Sequence, residues 1–266
     1  MLVIHGGPGG FDQGLMYGRH LRDNGCEVVA LSRPGYLRTP LSSGRTPTEQ
    51  ADLYAALLDA LEIDRITVLG YSSGGPSAAH FAVRHPGRVR SLLLDSAVLG
   101  HYDHSGSVVE RLSLFSSVGA WFWHSVGRRW PKVASSVLVD GTTTGLGKAQ
   151  RQAAVKWIMA DQARVESVQE MLTSFVPWKL RRAGFDNDGV NEDDLAPLPI
   201  AELTCPTMIT HGLNDGAVPV ELAMQARESL ESAELVLIDE GHHLLAVARH
   251  FEALLERRLQ FIHAED

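Results

Sequence analysis

The sequence contains little of what marks disulfide-rich, membrane-spanning or nucleic-acid-binding proteins. Only two cysteines, Cys26 and Cys205, occur among its 266 residues, and they lie far apart, so no disulfide framework is indicated. No apolar run reaches the roughly 18 residues that a membrane span needs. Acidic residues outnumber basic ones by 32 to 24, and no cluster of Lys and Arg is large enough to form a basic face. The composition therefore predicts neither a nucleic-acid nor a membrane partner.

Targeting and metal-binding patterns are missing as well. The first residues, Met1 to Gly6, lack the basic, apolar and cleavage regions of a secretory signal, which predicts a cytoplasmic protein. No spacing such as His-Glu-x-x-His occurs, so we expect neither a metal nor a cofactor. Hydrophobic residues make up 44% and charged residues 21% of the chain. These values are typical of a globular protein, and the length suits one large domain or a domain with an insertion.

Six short apolar runs alternate with helical patterns. Runs rich in Val, Ile and Leu are typical of buried strands, whereas the segments between them, such as 78–84 and 222–230, repeat apolar residues at helical spacing. This alternation predicts an α/β fold with a parallel sheet and helices on both faces. The predicted strands are Leu2–Ile4, Val28–Leu31, Ile66–Leu69, Leu92–Leu94, Thr207–Thr210 and Leu235–Ile238.

The alternation stops after Val98 and resumes near Pro197, which indicates an insertion. We therefore predict an α/β core formed by residues 1–98 and 196–266, and a helical cap, or lid, formed by residues 99–195. All five tryptophans fall in this insertion. Most of them are expected to pack the lid itself, but Trp121 and Trp123 are predicted to contact the substrate, which favours an apolar or aromatic group there.

The sharpest chemical motif is Gly70-Tyr71-Ser72-Ser73-Gly74, which lies between a predicted strand and a predicted helix. Small residues two places before and after a serine permit the strained turn that projects a nucleophilic hydroxyl at the edge of a sheet. Ser72 is the predicted nucleophile. Ser73 is the rival, but Tyr71 stands two places before it and is too bulky for such a turn.

Three further motifs follow predicted strands: His5-Gly6-Gly7-Pro8-Gly9-Gly10, the segment 211–219 and Glu240-Gly241-His242-His243. Because ligand sites of open α/β sheets lie beyond the carboxyl ends of the strands, these segments are expected to meet Ser72. His5 is expected to be held by hydrogen bonds, while a backbone amide in the glycine turn after it is available to an oxyanion. The chain order Ser72, Asp215, His242 is the order found in triads of this kind of fold.

Together these segments resemble the α/β-hydrolase superfamily with a helical lid, in the branch of the proline iminopeptidases and related esterases. The match extends to Ser32-Arg33-Pro34-Gly35-Tyr36 and to His85-Pro86. The iminopeptidase elbow usually reads Gly-Gly-Ser-Trp-Gly, so Tyr71 and Ser73 depart from it and weaken the peptidase assignment.

The resemblance implies Ser72, Asp215 and His242 as catalytic residues, the amides of Gly7 and Ser73 as the oxyanion hole, and Tyr71 as a substrate contact. Two rivals stay open. Asp95 follows the fourth predicted strand, a position that some relatives use for the acid, and His243 stands beside His242. The family places its base directly after a glycine, which favours His242.

The implied function is hydrolysis of a small carboxylic ester through an acyl-enzyme. An aminopeptidase of the proline iminopeptidase type is the first alternative. Such enzymes hold the free amine of the substrate with acidic lid residues, and the predicted lid contains acidic candidates. Carbon–carbon bond or lactone hydrolysis shares the same triad, and a non-catalytic ligand receptor is a third class. Dehalogenase chemistry is disfavoured, because those relatives carry an aspartate at the position of Ser72. The acidic candidates for an amine are Glu110, Glu166, Glu170 and the run 191–194.

The family sheet usually has two further strands before the one that begins here at Leu2. We therefore expect a sheet of about six strands that lacks the usual first two. The strand 28–31 would then have an open edge, and an open edge predicts a homodimer. Cys26 and Cys205 would lie about four strands apart, roughly 19 Å, which predicts two free thiols.

Overall fold

A computed structural model describes residues 1–101, 116–193 and 198–264, and within them it contains a six-stranded parallel sheet of order β2-β1-β3-β4-β5-β6. The predicted α/β-hydrolase architecture and all six predicted strands are confirmed, with ends that differ by a few residues. The strands are Leu2–Ile4 (β1), Val29–Leu31 (β2), Ile66–Tyr71 (β3), Val89–Asp95 (β4), Thr207–Gly212 (β5) and Glu234–Ile238 (β6).

Ten α-helices surround the sheet in the described ranges. Five of them follow the βα pattern of the core: Phe11–Arg22 (α1), Pro47–Ala60 (α2), Gly75–Arg84 (α3), Val220–Ser229 (α9) and Phe251–His263 (α10). The other five lie between β4 and β5, inside the predicted insertion: Ser117–Arg129 (α4), Pro131–Thr142 (α5), Lys148–Met159 (α6), Gln162–Thr173 (α7) and Arg182–Asp193 (α8). The division into core and cap remains a prediction, and its boundary at 195–196 lies outside the described residues.

The two faces of the sheet are covered by different helices. Alternate side chains of a strand point to opposite faces, so Leu2, Ile4 and Val68 pack with α2, α3 and α9. Val3 and Leu69 point the other way and pack with α1, α10 and the insertion helices α4–α7. The insertion thus shares an apolar cluster with the sheet instead of forming a core of its own.

Strand register brings the carboxyl ends of the strands to one edge. Ile4 pairs with Gly70, Tyr71 pairs with Asp95, and Asp95 pairs with Thr210. The residues that follow β1, β3, β5 and β6 therefore leave the sheet side by side. This edge holds the motifs after β1, β3, β5 and β6 that the sequence singles out for chemistry.

Two further expectations concern this fold. Cys26 and Cys205 are both free thiols, which confirms that prediction. In the described ranges no helix is long and apolar enough to cross a membrane. Strand β2 is an edge of the sheet, but the homodimer inferred from such an edge stays a prediction.

Candidate active site

Ser72 lies in a strained turn between β3 and α3. Its φ of 51° is in the left-handed region that side chains rarely adopt. The turn is tight because both flanking glycines touch other backbone or small side chains. A Cβ at Gly70 would lie 2.6 Å from the Cβ of Ala78, and a Cβ at Gly74 would lie 2.5 Å from the carbonyl oxygen of Ile4. The spacing of the two glycines is therefore required by packing.

A continuous hydrogen-bonded chain runs from Ser72 to Asp215 through one imidazole. The Oγ of Ser72 is 3.1 Å from Nε2 of His243, and Nδ1 of His243 is 2.8 Å from Oδ2 of Asp215. With a neutral ring, Nδ1–H donates to the carboxylate and Nε2 accepts from the serine hydroxyl. This tautomer leaves a base beside a nucleophile and a carboxylate behind the base.

The prediction of His242 as the histidine of this site is wrong, because the structure places His243 there. The His242 ring is fully buried, and its Nδ1 accepts a hydrogen bond from the amide of Leu244. Burial lowers the pKa of His242 to about 4, so the ring is neutral. The turn before it contains Glu240 at φ 51°, and beyond that turn the second histidine faces Ser72.

Asp215 is held as an ionised acceptor. Burial alone would raise its pKa, but His243 and the hydrogen bonds from His243 and His211 outweigh burial and lower it. The amides of Ala217 and Val218 donate to its other oxygen at 2.8 and 2.9 Å. Four donors thus fix this carboxylate, as expected for a group that orients an imidazole.

The rival carboxylate Asp95 has a different partner. Its Oδ2 is 2.5 Å from Nη2 of Arg258, and its Oδ1 accepts from the hydroxyl of Thr210. Both members of the Asp95–Arg258 pair are buried. Asp95 therefore binds α10 to the sheet and does not approach the imidazole of His243.

The predicted oxyanion donors lie beside the nucleophile. A Cβ at Gly6 would be only 2.8 Å from the Cβ of Ser72, so the turn that carries Gly7 passes directly over the serine. The Gly7 amide donates to no acceptor in the described part of the chain, and Ser73 opens the first helical turn after the nucleophile. His5 is fully buried, and its Nε2 accepts a hydrogen bond from the amide of Arg33.

The three predicted substrate contacts, Tyr71, Trp121 and Trp123, lie in different surroundings. Tyr71 is 2% exposed, stacks on Tyr17 with ring centroids 3.9 Å apart, and lies 5.1 Å from the ring of His243. These contacts place Tyr71 beside the imidazole, and its assignment as a substrate contact stays a prediction. Trp121 is 63% exposed on α4, and Trp123 packs against the apolar cluster of α4 and α7. The contacts of these two rings do not include Ser72.

Two acidic residues of α8 are buried near this site: Asp188, which the sequence did not single out, and Glu192, which belongs to the run 191–194 predicted to offer candidates for an amine. Asp188 accepts two hydrogen bonds from the guanidinium of Arg33, at 2.7 and 2.6 Å, and a third from the hydroxyl of Tyr36 at 2.5 Å. One helical turn later, Glu192 is 1% exposed, and burial and the charge of Asp188 raise its pKa to about 8. The motif 32–36 and the acidic run 191–194 were the available signals. Glu110 and Asp194 lie outside the described residues.

No cluster of His, Cys, Asp and Glu suited to a metal ion occurs in the ranges that the structure describes. The chemistry that the arrangement offers is nucleophilic attack by a serine with an imidazole as base. Its elements are the turns after β1, β3, β5 and β6, with α8 of the insertion on the other side.

Comparisons with known proteins agree with this architecture. A family model described as alpha/beta hydrolase fold matches residues 1–121. The chain is 34% identical to an alpha/beta hydrolase fold protein from Nakamurella multipartita, with a TM-score of 0.94 over 100% of this chain and 92% of that one. An uncharacterized hydrolase of Bacillus subtilis (strain 168), YcgS, is 28% identical over 92% of this chain and 84% of its own. The 2-hydroxy-6-oxo-2,4-heptadienoate hydrolase of Pseudomonas putida is 25% identical over 80% of this chain and 68% of its own.

Proposed function

The chain belongs to the α/β-hydrolase fold family, and from this premise we propose that it is a serine hydrolase that cleaves small carboxylic esters through an acyl-enzyme. The observation that carries the proposal is the hydrogen-bonded chain from Ser72 through His243 to Asp215. A base within hydrogen-bond reach of a hydroxyl, oriented in turn by a carboxylate, is the arrangement that activates a serine.

In the first half of the reaction, Oγ of Ser72 attacks the ester carbonyl while Nε2 of His243 takes its proton. Asp215 keeps Nδ1 protonated and stabilises the imidazolium that forms. The imidazolium then gives its proton to the leaving alcohol, and the acyl group stays on Ser72. In the second half, His243 takes a proton from water as the water oxygen attacks the acyl carbonyl. The bond from the acyl carbon to Oγ of Ser72 then breaks, the imidazolium returns its proton to Oγ, and the carboxylic acid leaves.

The negative charge that develops on the carbonyl oxygen needs donors that are already in place. We propose the amides of Gly7 and Ser73, because the Gly7 turn passes over Ser72 and Ser73 begins the helical turn after it. Each such donor contributes about 3 kcal/mol in comparable sites. The insertion 99–195 would then act as the lid over this edge.

The test compares wild-type protein with Ser72→Ala on p-nitrophenyl acetate, butyrate and octanoate and on proline p-nitroanilide. We expect ester turnover, and a loss of about 10⁴-fold or more in the variant, with an unchanged circular dichroism spectrum. Proline anilide cleavage with little ester cleavage would make the aminopeptidase the better function. Ester turnover that survives in Ser72→Ala would remove Ser72 from the mechanism.

Carbon–carbon bond hydrolysis is the second candidate function. It is favoured by the similarity to the Pseudomonas putida 2-hydroxy-6-oxo-2,4-heptadienoate hydrolase over 80% of this chain. The same serine, base and oxyanion donors would act on a ketone in place of an ester. The test measures turnover of a 2-hydroxy-6-oxo-dienoate by the loss of its absorbance. Turnover of this compound without cleavage of the four substrates above would identify carbon–carbon bond hydrolysis.

A further inference from the structure

An open groove lies between the insertion helices α5 and α6. Its volume is about 890 Å³, which is in the range of pockets that hold a small molecule. The residues that line it in the described parts of the chain come from α5, from α6 and from the corner 143–147 that joins them. None of them belongs to the motifs around Ser72, Asp215 and His243. The groove is therefore a cavity outside the proposed active site.

One face of each helix points into the groove. On α5 the lining residues are Lys132, Ser136 and Asp140, which are four positions apart. On α6 they begin at Lys148 and recur at three- and four-residue spacing as far as Met159. Residues at these spacings form one continuous stripe on a helix. Each helix has 12 residues and is about 18 Å long, so the groove suits an elongated ligand.

Three of the four lysines of the chain line this groove. The sequence contains lysine only at positions 132, 148, 156 and 179, and the first three belong to the lining. Their side chains are exposed, and none of the three ammonium groups forms an ion pair or a hydrogen bond with another residue that the structure describes. The groove thus carries three unpaired positive charges in a chain whose net charge is -8.

The other two charged groups of the lining satisfy each other. Arg151 is 3.4 Å from Oδ1 of Asp140 and donates to the carbonyl of Leu146 at 3.1 Å. The lysine charges stay available, and they are spread along the groove. Lys148 begins α6 beside the corner, whereas Lys132 lies near the far end of α5. This spread suits one anionic head group better than a compact group of several charges.

The floor of the groove is apolar. Leu146 and Val155 are 7% and 8% exposed, and Met159 is half-buried. Such a floor favours a hydrocarbon chain, because every methylene that it removes from water stabilises the complex. The cations of the rim favour an anion at the end of that chain.

We propose that this groove binds a fatty-acid anion, with the hydrocarbon chain on Leu146, Val155 and Met159 and the carboxylate among the lysines of the rim. One charged head on an unbranched chain matches the elongated shape, the apolar floor and the unpaired cations together. A free inorganic anion would leave the floor in water, and an uncharged chain would leave the cations without a partner. The inference is independent of the proposed ester hydrolysis, because the groove does not include Ser72.

The experiment measures binding to the full chain by isothermal titration calorimetry. The probes are decanoate, octanoate, hexanoate and acetate, all below the concentrations at which they form micelles, and octanol as the uncharged match of octanoate. We expect decanoate to bind at one site per chain, and the affinity to fall about threefold for each methylene removed. Octanol should bind at least about tenfold more weakly than octanoate.

Variants of the rim test the role of the lysines. Each of the substitutions Lys132→Gln, Lys148→Gln and Lys156→Gln should weaken decanoate binding about threefold, and the triple variant at least about tenfold. Lys179→Gln, the same change at an exposed lysine outside the groove, is the matched control and should bind as wild type does. Circular dichroism checks that all variants are folded.

A second readout locates the ligand. A lysine-selective acylating reagent modifies the ammonium groups of wild-type protein, and mass spectrometry follows each lysine separately. Saturating decanoate should slow the modification of the three groove lysines severalfold and leave the rate at Lys179 unchanged. Lys179 is therefore an internal control in the same molecule.

The remaining outcomes all overturn the inference. If decanoate binds the triple variant as tightly as wild type, or protects no groove lysine, it binds elsewhere. If acetate binds as tightly as decanoate, the groove attracts only charge. If phosphatidylglycerol vesicles bind the protein while monomeric decanoate does not, the lysines contact a lipid surface. If none of the probes binds, the groove is not a site for this class of ligand.

Discussion

The two sides of the site are built in different ways. On the sheet side, Ser72, Asp215 and His243 lie in the short turns that follow β3, β5 and β6, and parallel register brings the ends of these strands to one edge. On the insertion side, α8 is placed by contacts between residues about 150 positions apart, such as Arg33 with Asp188. The first arrangement carries the proposed reaction and depends on strand register, while the second depends on side-chain and backbone contacts between distant segments.

The two sides also differ in their buried carboxyl groups, which are Asp215 on the sheet side and Glu192 on the insertion side. Burial alone would raise the pKa of Asp215, but His243 and the hydrogen bonds from His243 and His211 lower it. Burial, and then the charge of Asp188, raise the pKa of Glu192 to about 8. One carboxyl group is therefore held ionised, and the other keeps its proton at neutral pH.

The largest expected effect is on the catalytic rate, and it distinguishes the two adjacent histidines on the sheet side. His243→Gln removes the base and should reduce ester kcat about 10³- to 10⁴-fold. His242→Gln keeps an acceptor for the Leu244 amide and should leave kcat within about tenfold, at some cost in stability. Steady-state kinetics on both variants measures this. Equal losses in the two variants would mean that the imidazole facing Ser72 has no special role.

On the insertion side, the expected effect is on stability. Asp188→Asn leaves the buried guanidinium of Arg33 without its counter-charge, and should lower the free energy of unfolding by about 3–5 kcal/mol. Asp52→Asn breaks the exposed pair with Arg84 and is the matched control, with an expected change below about 1 kcal/mol. Urea unfolding of both variants measures the difference. A small loss for Asp188→Asn would show that α8 is held mainly by its apolar and backbone contacts.

A smaller effect concerns the pH dependence of stability. The folded-state pKa of Glu192 lies above its unfolded value, so wild-type protein should lose stability relative to Glu192→Gln as the pH rises toward about 8, and the difference should then level off. The melting temperatures should diverge by about 3 °C per pH unit in that range. Thermal melts of both proteins between pH 5 and 9 measure it. Parallel curves would indicate that Glu192 is ionised in the folded protein throughout.

The sheet side could be predicted from the sequence because its information is local. Strand, tight turn and helix follow one another around Ser72, and the flanking glycines report a backbone constraint that the structure contains. The free cysteines followed from the sheet that the family resemblance implies. The choice between His242 and His243 could not be made this way, because a one-residue change in the turn after β6 reverses which ring points at Ser72.

Less of the insertion side could be predicted from the sequence. Helical pattern predicted its helices, but no spacing rule pairs Arg33 with Asp188, since the attraction between two buried charges leaves no periodic trace in the chain. Tyr71 illustrates the same limit. Its position beside the nucleophile predicted a substrate contact, but no sequence pattern indicated that its ring stacks on Tyr17 and lies beside His243.

The central claim, that His243 activates Ser72 and not Ser73, is tested most directly by a fluorophosphonate probe with tandem mass spectrometry of the labelled peptide. We predict a single adduct on Ser72 in wild-type protein, formed at a similar rate in His242→Gln and at least about a hundredfold more slowly in His243→Gln. An adduct on Ser73, or labelling of Ser72 that is as fast without His243 as with it, would contradict the account.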